Sequence, residues 1–134
     1  MNNEQLYQRV KQLALDAVRF CNVLPKTSTN SILSKQLIRS ATSAAANYRA
    51  ARCSRSKREW ISKISITIEE IDETNFWLDF FQSLSESSNK KISILIQESE
   101  ELTKIFGKMR ATARKNQQQK NSTTSNPKNM TNSK

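Results

Sequence analysis

The sequence predicts an all-α protein, an antiparallel up-down-up-down four-helix bundle. Three observations lead there. The 134 residues hold one glycine and two prolines, and no Asn-Gly or Asp-Gly pair is present to turn a tight β-hairpin. Apolar residues recur at spacings of three and four in four successive stretches. Those stretches are each about 20 residues long and joined by short polar loops, which makes consecutive helices antiparallel neighbours.

The first helix is expected from about Asn3 to Leu24, with Leu6, Val10, Leu13, Ala17, Phe20 and Leu24 as its seam. Pro25 stops it, and "PKTSTNS" reads as a loop of turn and capping residues. The second helix is expected from about Ser31 to Arg52, packing through Leu33, Leu37, Ala41, Ala44, Tyr48 and Ala51. Its opposite side is small as well, with Ser43, Ala46 and Ala50 where a solvent face would carry Glu and Lys. This helix is expected to touch something beyond its own bundle.

The third helix opens at "SKRE", where Ser56 and Glu59 have the spacing of a capping box. Its core stripe is read as Trp60, Ile61, Ile64, Ile68, Ile71 and Leu78. A second stripe, Ile66, Trp77 and Phe80, points roughly 120–180° away by the helical period. Two apolar faces on one helix of so short a chain predict a subunit interface. After "SESSNK" the fourth helix is expected from about Lys90 to Arg114, through Ile92, Leu95, Leu102, Phe106 and Met109. Residues 1–115 then form one bundle domain. Residues 116–134 are polar and low in complexity, and are expected to be a disordered basic tail that cannot offset its ordering entropy.

The formal net charge is +10, a balance that favours association with nucleic acid, an anionic membrane or an acidic protein. All twelve acids fall in residues 1–107 against fifteen bases, while residues 108–134 add seven bases and no acid. Residues 17–58 carry nine Lys or Arg and no acid. The molecule is therefore expected to be polarised.

Much chemistry is missing. There is no histidine, so Ser-His and Cys-His nucleophile pairs cannot form, nor can the Glu-x-x-His motif of di-metal bundles. One glycine cannot build a phosphate-binding Gly-rich loop. The expectation is a non-enzymatic protein with no cofactor and no metal. The acidic run "EEIDE" puts Glu70 and Glu73 on the face of the second apolar stripe. Between a metal or acid–base pair and a structural pairing with Arg39, Arg49 or Arg52, the structural reading is taken, fixing register at an interface. Cys21 and Cys53 are too few for a disulfide framework and read as reduced thiols. No run is apolar enough to span a membrane and no signal pattern opens the chain, so the expected location is the cytoplasm.

The basic stretch between helices two and three is the candidate binding site. Arg49 and Arg52 suit the carboxyl end of helix two, where the helix dipole favours cations. Arg55, Lys57 and Arg58 do not fit that explanation, because Lys57 and Arg58 open helix three, where the dipole disfavours them. Phosphate would meet both a helix amino terminus and several guanidinium forks there. Lys108, Arg110, Arg114 and Lys115 add cations near the end of helix four. Contacts would go mainly to phosphates, with little sequence specificity, since no base-reading motif is visible.

The run "QLIRSATSAAANYRAARCSRSKREWISKISITIEEIDETNFWLDFF", residues 36–81, resembles the bacterial four-helix-bundle family known as the 23S ribosomal RNA intervening-sequence proteins. "RSATS", "ANYR", "RSK", "EEIDE" and "WL" carry the likeness, with consistent length and pattern over about residues 5–112. The resemblance implies a homopentameric ring of bundles. Accessory variability proteins of diversity-generating retroelements look similar, which would imply nucleic acid and a reverse transcriptase as partners. Two residues depart from the pattern. Ala50 stands where an acid follows "NYR", leaving the corner more basic, and Trp60 replaces a phenylalanine, read as a bulkier core residue.

The candidate nucleic-acid site is thus Arg49, Arg52, Arg55, Lys57, Arg58, Lys108, Arg110, Arg114 and Lys115. The candidate interface between copies is Ser43, Ala46, Ala50, Ile66, Glu70, Glu73, Trp77 and Phe80. A protein-interaction scaffold, for example for a reverse transcriptase, is the alternative function.

Overall fold

Asn2 begins the first helix, α1 (Asn3–Asn22), by accepting a hydrogen bond from the Gln5 amide at 2.8 Å. Gln5 returns one through Oε1 to the Asn2 amide at 2.9 Å, completing a capping box. The structure, a computed structural model, describes residues 1–85 and 87–132, with side chains described through residue 120. α1 ends two residues before the expected Leu24, because Pro25 disfavours helical geometry in the residue preceding it. Leu6, Val10, Leu13, Ala14, Ala17 and Phe20 are its buried side chains.

α2 (Ser28–Arg52) starts three residues earlier than the apolar pattern suggests. Thr27 is the reason: its hydroxyl caps the Asn30 amide at 3.1 Å. Its buried stripe is the predicted one with Ser40 added. α3 (Lys57–Leu84) is capped by Ser56, whose Oγ accepts from the Glu59 amide at 3.0 Å. The reciprocal half of the expected box is not made to Ser56; Glu59 Oε2 lies 3.4 Å from the Arg55 amide instead.

The α3 stripe also differs from expectation. Trp60, Ile61 and Ile68 are only half-buried, while Thr67, Thr74 and Phe81 are buried with Ile64, Ile71 and Leu78. The threonines can enter the core because their hydroxyls bond to carbonyls one turn back, Lys63 at 2.9 Å and Glu70 at 2.8 Å. Thr74 Oγ1 also meets Ser40 Oγ at 3.0 Å, stitching α2 to α3.

α4 (Lys90–Asn132) begins under Asn89, whose side chain accepts from the Ile92 amide at 3.2 Å. It continues past the Arg114 end that its apolar stripe predicts. Its last buried side chain among the described residues is Ala113, so residues 114–120 add helix but no buried side chain. Most of the expected tail, 116–134, falls where side chains or placement lie outside the described residues.

Each helix packs on its chain neighbours, and α1 also meets α4, closing the up-down-up-down bundle. Edge-on rings sit towards its two ends, Phe20 on Phe81 at 5.3 Å and Tyr48 on Phe106 at 4.8 Å. The α1–α4 seam is the slightest of the four and carries the Arg9 fork, which donates to Glu98 at 2.5 and 3.1 Å and reaches Glu101 at 3.3 Å. The hydrogen bonds to Glu98 hold the guanidinium pKa above its ordinary value, against the effect of partial burial.

Candidate nucleic-acid interface

Antiparallel packing brings the end of α2, the start of α3 and the 108–116 stretch of α4 to one end of the bundle. Lys57 and Trp60 of α3 line a single cleft with Lys108, Met109, Thr112, Ala113 and Asn116 of α4. The two predicted clusters of cations are therefore one surface, which sequence spacing alone does not reveal. Arg55, Lys57, Arg58, Lys108, Arg114 and Lys115 are exposed, and none forms an ion pair among the described residues.

Three predicted cations stand apart from that set. Arg52 donates to Glu4 Oε2 at 2.9 Å and lies 5.4 Å over the Tyr7 ring, so α1 already engages it. Glu4 is held below the usual carboxylate range, chiefly by the hydrogen bond from Gln8 and then by Arg52. Arg110 is half-buried and donates to Ser65 Oγ at 3.2 Å, tying α4 to α3. Arg49 is exposed beside a shallow recess formed with Tyr7, Ala45, Ala46, Ala50 and Cys53.

Of the residues expected to meet another copy, Ile66, Glu70, Glu73, Trp77 and Phe80 lie on α3 and Ser43, Ala46 and Ala50 on α2, the last two beside Tyr7 of α1. Arg39 is the partner of the acidic pair, reaching Glu70 at 2.9 Å and also bonding Glu73. Arg49 and Arg52 take no part in it. Ser43 and Ile66 are half-buried, while Ala46 and Ala50 are exposed. Trp77 and Phe80 belong to a ring cluster with Phe76, with centroids 4.8 to 6.1 Å apart. Phe76 and Leu84 are each 53% exposed and Phe80 41%. Phe76 and Leu84 are absent from the sequence-derived set, although their spacing of four residues on either side of Phe80 was a usable signal. Ile32 of α2, 62% exposed, is likewise missing from it.

Among the described residues no group of three metal-ligating side chains occurs. Cys21 and Cys53 are free thiols, and burial pushes the Cys21 pKa up. No helix of the described residues is long and apolar enough to cross a membrane.

Fold and surface together define an all-α antiparallel four-helix bundle with one strongly cationic end. The chain belongs to the 23S rRNA-intervening sequence protein family, whose pattern matches residues 2–108. Arg110, Arg114 and Lys115 lie beyond that match. A crystal structure from Bacteroides thetaiotaomicron, described as a protein with unknown function from the S23 ribosomal protein family, has a similar fold. Its TM-score is 0.75 at 24% identity, over 83% of this chain and 99% of that one. Comparison with curated proteins gives no match.

Proposed function

We propose that the protein is a non-catalytic, self-associating bundle that binds nucleic acid through phosphate contacts at its cationic end. One observation carries this reading: Arg55, Lys57, Arg58 and Lys108 gather at one end and form no ion pair among the described residues, with Glu59 as the acid of the first α3 turn. Two of these cations sit where the α3 dipole is already positive, an arrangement that an incoming phosphate relieves. Electrophoretic or anisotropy titrations across salt concentrations test it. Four neutralised phosphates would give a log–log slope of roughly −3 to −4, and binding that ignores salt would sink the reading.

Self-association is supported by a separate feature, the Phe76–Trp77–Phe80–Leu84 ridge on α3, with the small exposed side chains Ala46 and Ala50 elsewhere on α2. An apolar ridge and a small-residue surface at separate places on one chain suit heterologous packing of one copy on the next, the geometry that closes into rings. Five copies is the number implied by the family resemblance, and light scattering would count them. The same ridge favours the alternative in which this face receives a different protein, such as a reverse transcriptase. A chain that stays monomeric yet captures such a protein after nuclease treatment would favour that reading.

A further inference from the structure

The cleft between α3 and α4 deepens the nucleic-acid reading and rests on it. It is a shallow depression of about 390 Å³, wide open to solvent. Trp60, Met109 and Ala113 make its surface largely apolar, Thr112 and Asn116 add short polar groups, and Lys57 and Lys108 bring two charges with no ion-pair partner among the described residues. Trp60 packs partly against the bundle core, yet it remains half-buried rather than enclosed.

We propose that this cleft takes an unpaired base of a single-stranded nucleic acid, which stacks against the Trp60 indole while Lys57 and Lys108 hold the flanking phosphates.

An aromatic ring flanked by unneutralised ammonium groups suits few occupants. An apolar protein segment would meet the ring but leave the two lysines unpaired in a partly desolvated rim. A duplex would satisfy the lysines but keep its bases stacked within the helix, away from the indole. A single strand presents both features in alternation, a π-face and a phosphate at each nucleotide, which is how sequence-tolerant single-strand surfaces work. Methionine adds a polarizable, adaptable contact at the same wall. The α4 side of the cleft beyond Lys108 lies outside the family match.

The test titrates the full chain with a single-stranded oligonucleotide and with a duplex of equal length, following ligand anisotropy and protein tryptophan emission together. The single strand is expected to bind more tightly and to quench emission, whereas the duplex binds without quenching. In Trp60→Phe, stacking persists but Trp77 in the α3 ring cluster is the only tryptophan left to emit, so single-strand affinity stays within about threefold and the quench disappears. Trp60→Leu keeps an apolar filler without a stacking face and should weaken single-strand binding roughly tenfold or more while sparing the duplex. Lys57→Gln with Lys108→Gln, both at exposed positions, should lower the single-strand salt slope by about two. Quenching that survives in Trp60→Phe, or equal affinity for both nucleic acids with no emission change, overturns the pocket while leaving phosphate binding in place. Absence of any anisotropy change with either ligand overturns both.

Discussion

The cationic end and the aromatic flank are built from the same two helices, α2 and α3, and they leave opposite demands on the surroundings. At the end, Arg55, Lys57, Arg58 and Lys108 have no ion-pair partner among the described residues, so a second copy docking face to face on that patch would be repelled. On the flank, Arg39 is already matched by Glu70 and Glu73, and what remains exposed is carbon: Phe76, Phe80 and Leu84. A different, small-residue surface of another copy can dock there. The contrast teaches that one patch acts at a distance and weakens with salt, while the other acts only on contact and is indifferent to salt.

The sharpest way to break this division is to reverse charge at the end. Arg55→Glu, Lys57→Glu and Arg58→Glu together should lower nucleic-acid affinity by at least 100-fold at moderate salt, with helical content and particle mass unchanged. Loss of the particle mass in that variant would mean that the two regions are not separable. Next in size is an acid on the flank. Phe76→Asp or Phe80→Asp should shift the proposed assembly towards monomer in light scattering and cost the isolated bundle little, because both side chains are largely exposed. If mass stays constant in both variants, copies do not meet through this ridge.

The register of the flank gives a smaller effect. Glu70 keeps only 15% of its side chain exposed, so Arg39→Gln leaves a partly buried carboxylate without its cation. A loss of roughly 1 kcal/mol is expected in urea unfolding, and it should shrink in Arg39→Gln/Glu70→Gln, where no charge is stranded. An unchanged denaturation midpoint would assign Arg39 no role in register.

These surfaces were unequally legible in the sequence. Helices packed by large aliphatic residues declare themselves through period alone, as Leu33, Leu37, Tyr48, Leu95 and Phe106 did. Thr67 and Thr74 did not, because a polar residue is buried only when its hydroxyl finds a partner, and Ser40 lies on another helix. The acidic pair and its candidate cations were visible, yet choosing Arg39 over Arg49 and Arg52 required the α2–α3 register. Arg52 was read among the free cations because its neutralising Glu4 is 48 positions away, at the start of a helix that antiparallel packing brings alongside. Trp60 was read as core from its place in the stripe. Its position on the first turn of α3, where the bundle ends, keeps it only half-buried against α4.

Tyr48 offers the finest discrimination, because it lies in the core beneath the cationic end rather than on either surface. Its ring is fully buried against Phe106, and its hydroxyl finds no hydrogen-bond partner among the described residues. Burial raises its pKa above the ordinary value of 10.0, and the nearby Arg52 opposes that rise only in part. The folded state therefore favours the neutral phenol. Its contribution to stability is fully present below the unfolded pKa near 10 and is lost as pH rises through the higher folded value. In an ultraviolet titration Tyr48 should ionise only above the ordinary tyrosine value, with alkaline unfolding at its heels. Tyr48→Phe should postpone that unfolding. Near neutral pH it should change stability by no more than about 1 kcal/mol in either direction, since it removes a donor that is already unpaired. A loss well beyond that would reveal a partner for the hydroxyl supplied from outside the single chain, and the assembled protein would be the place to look for it.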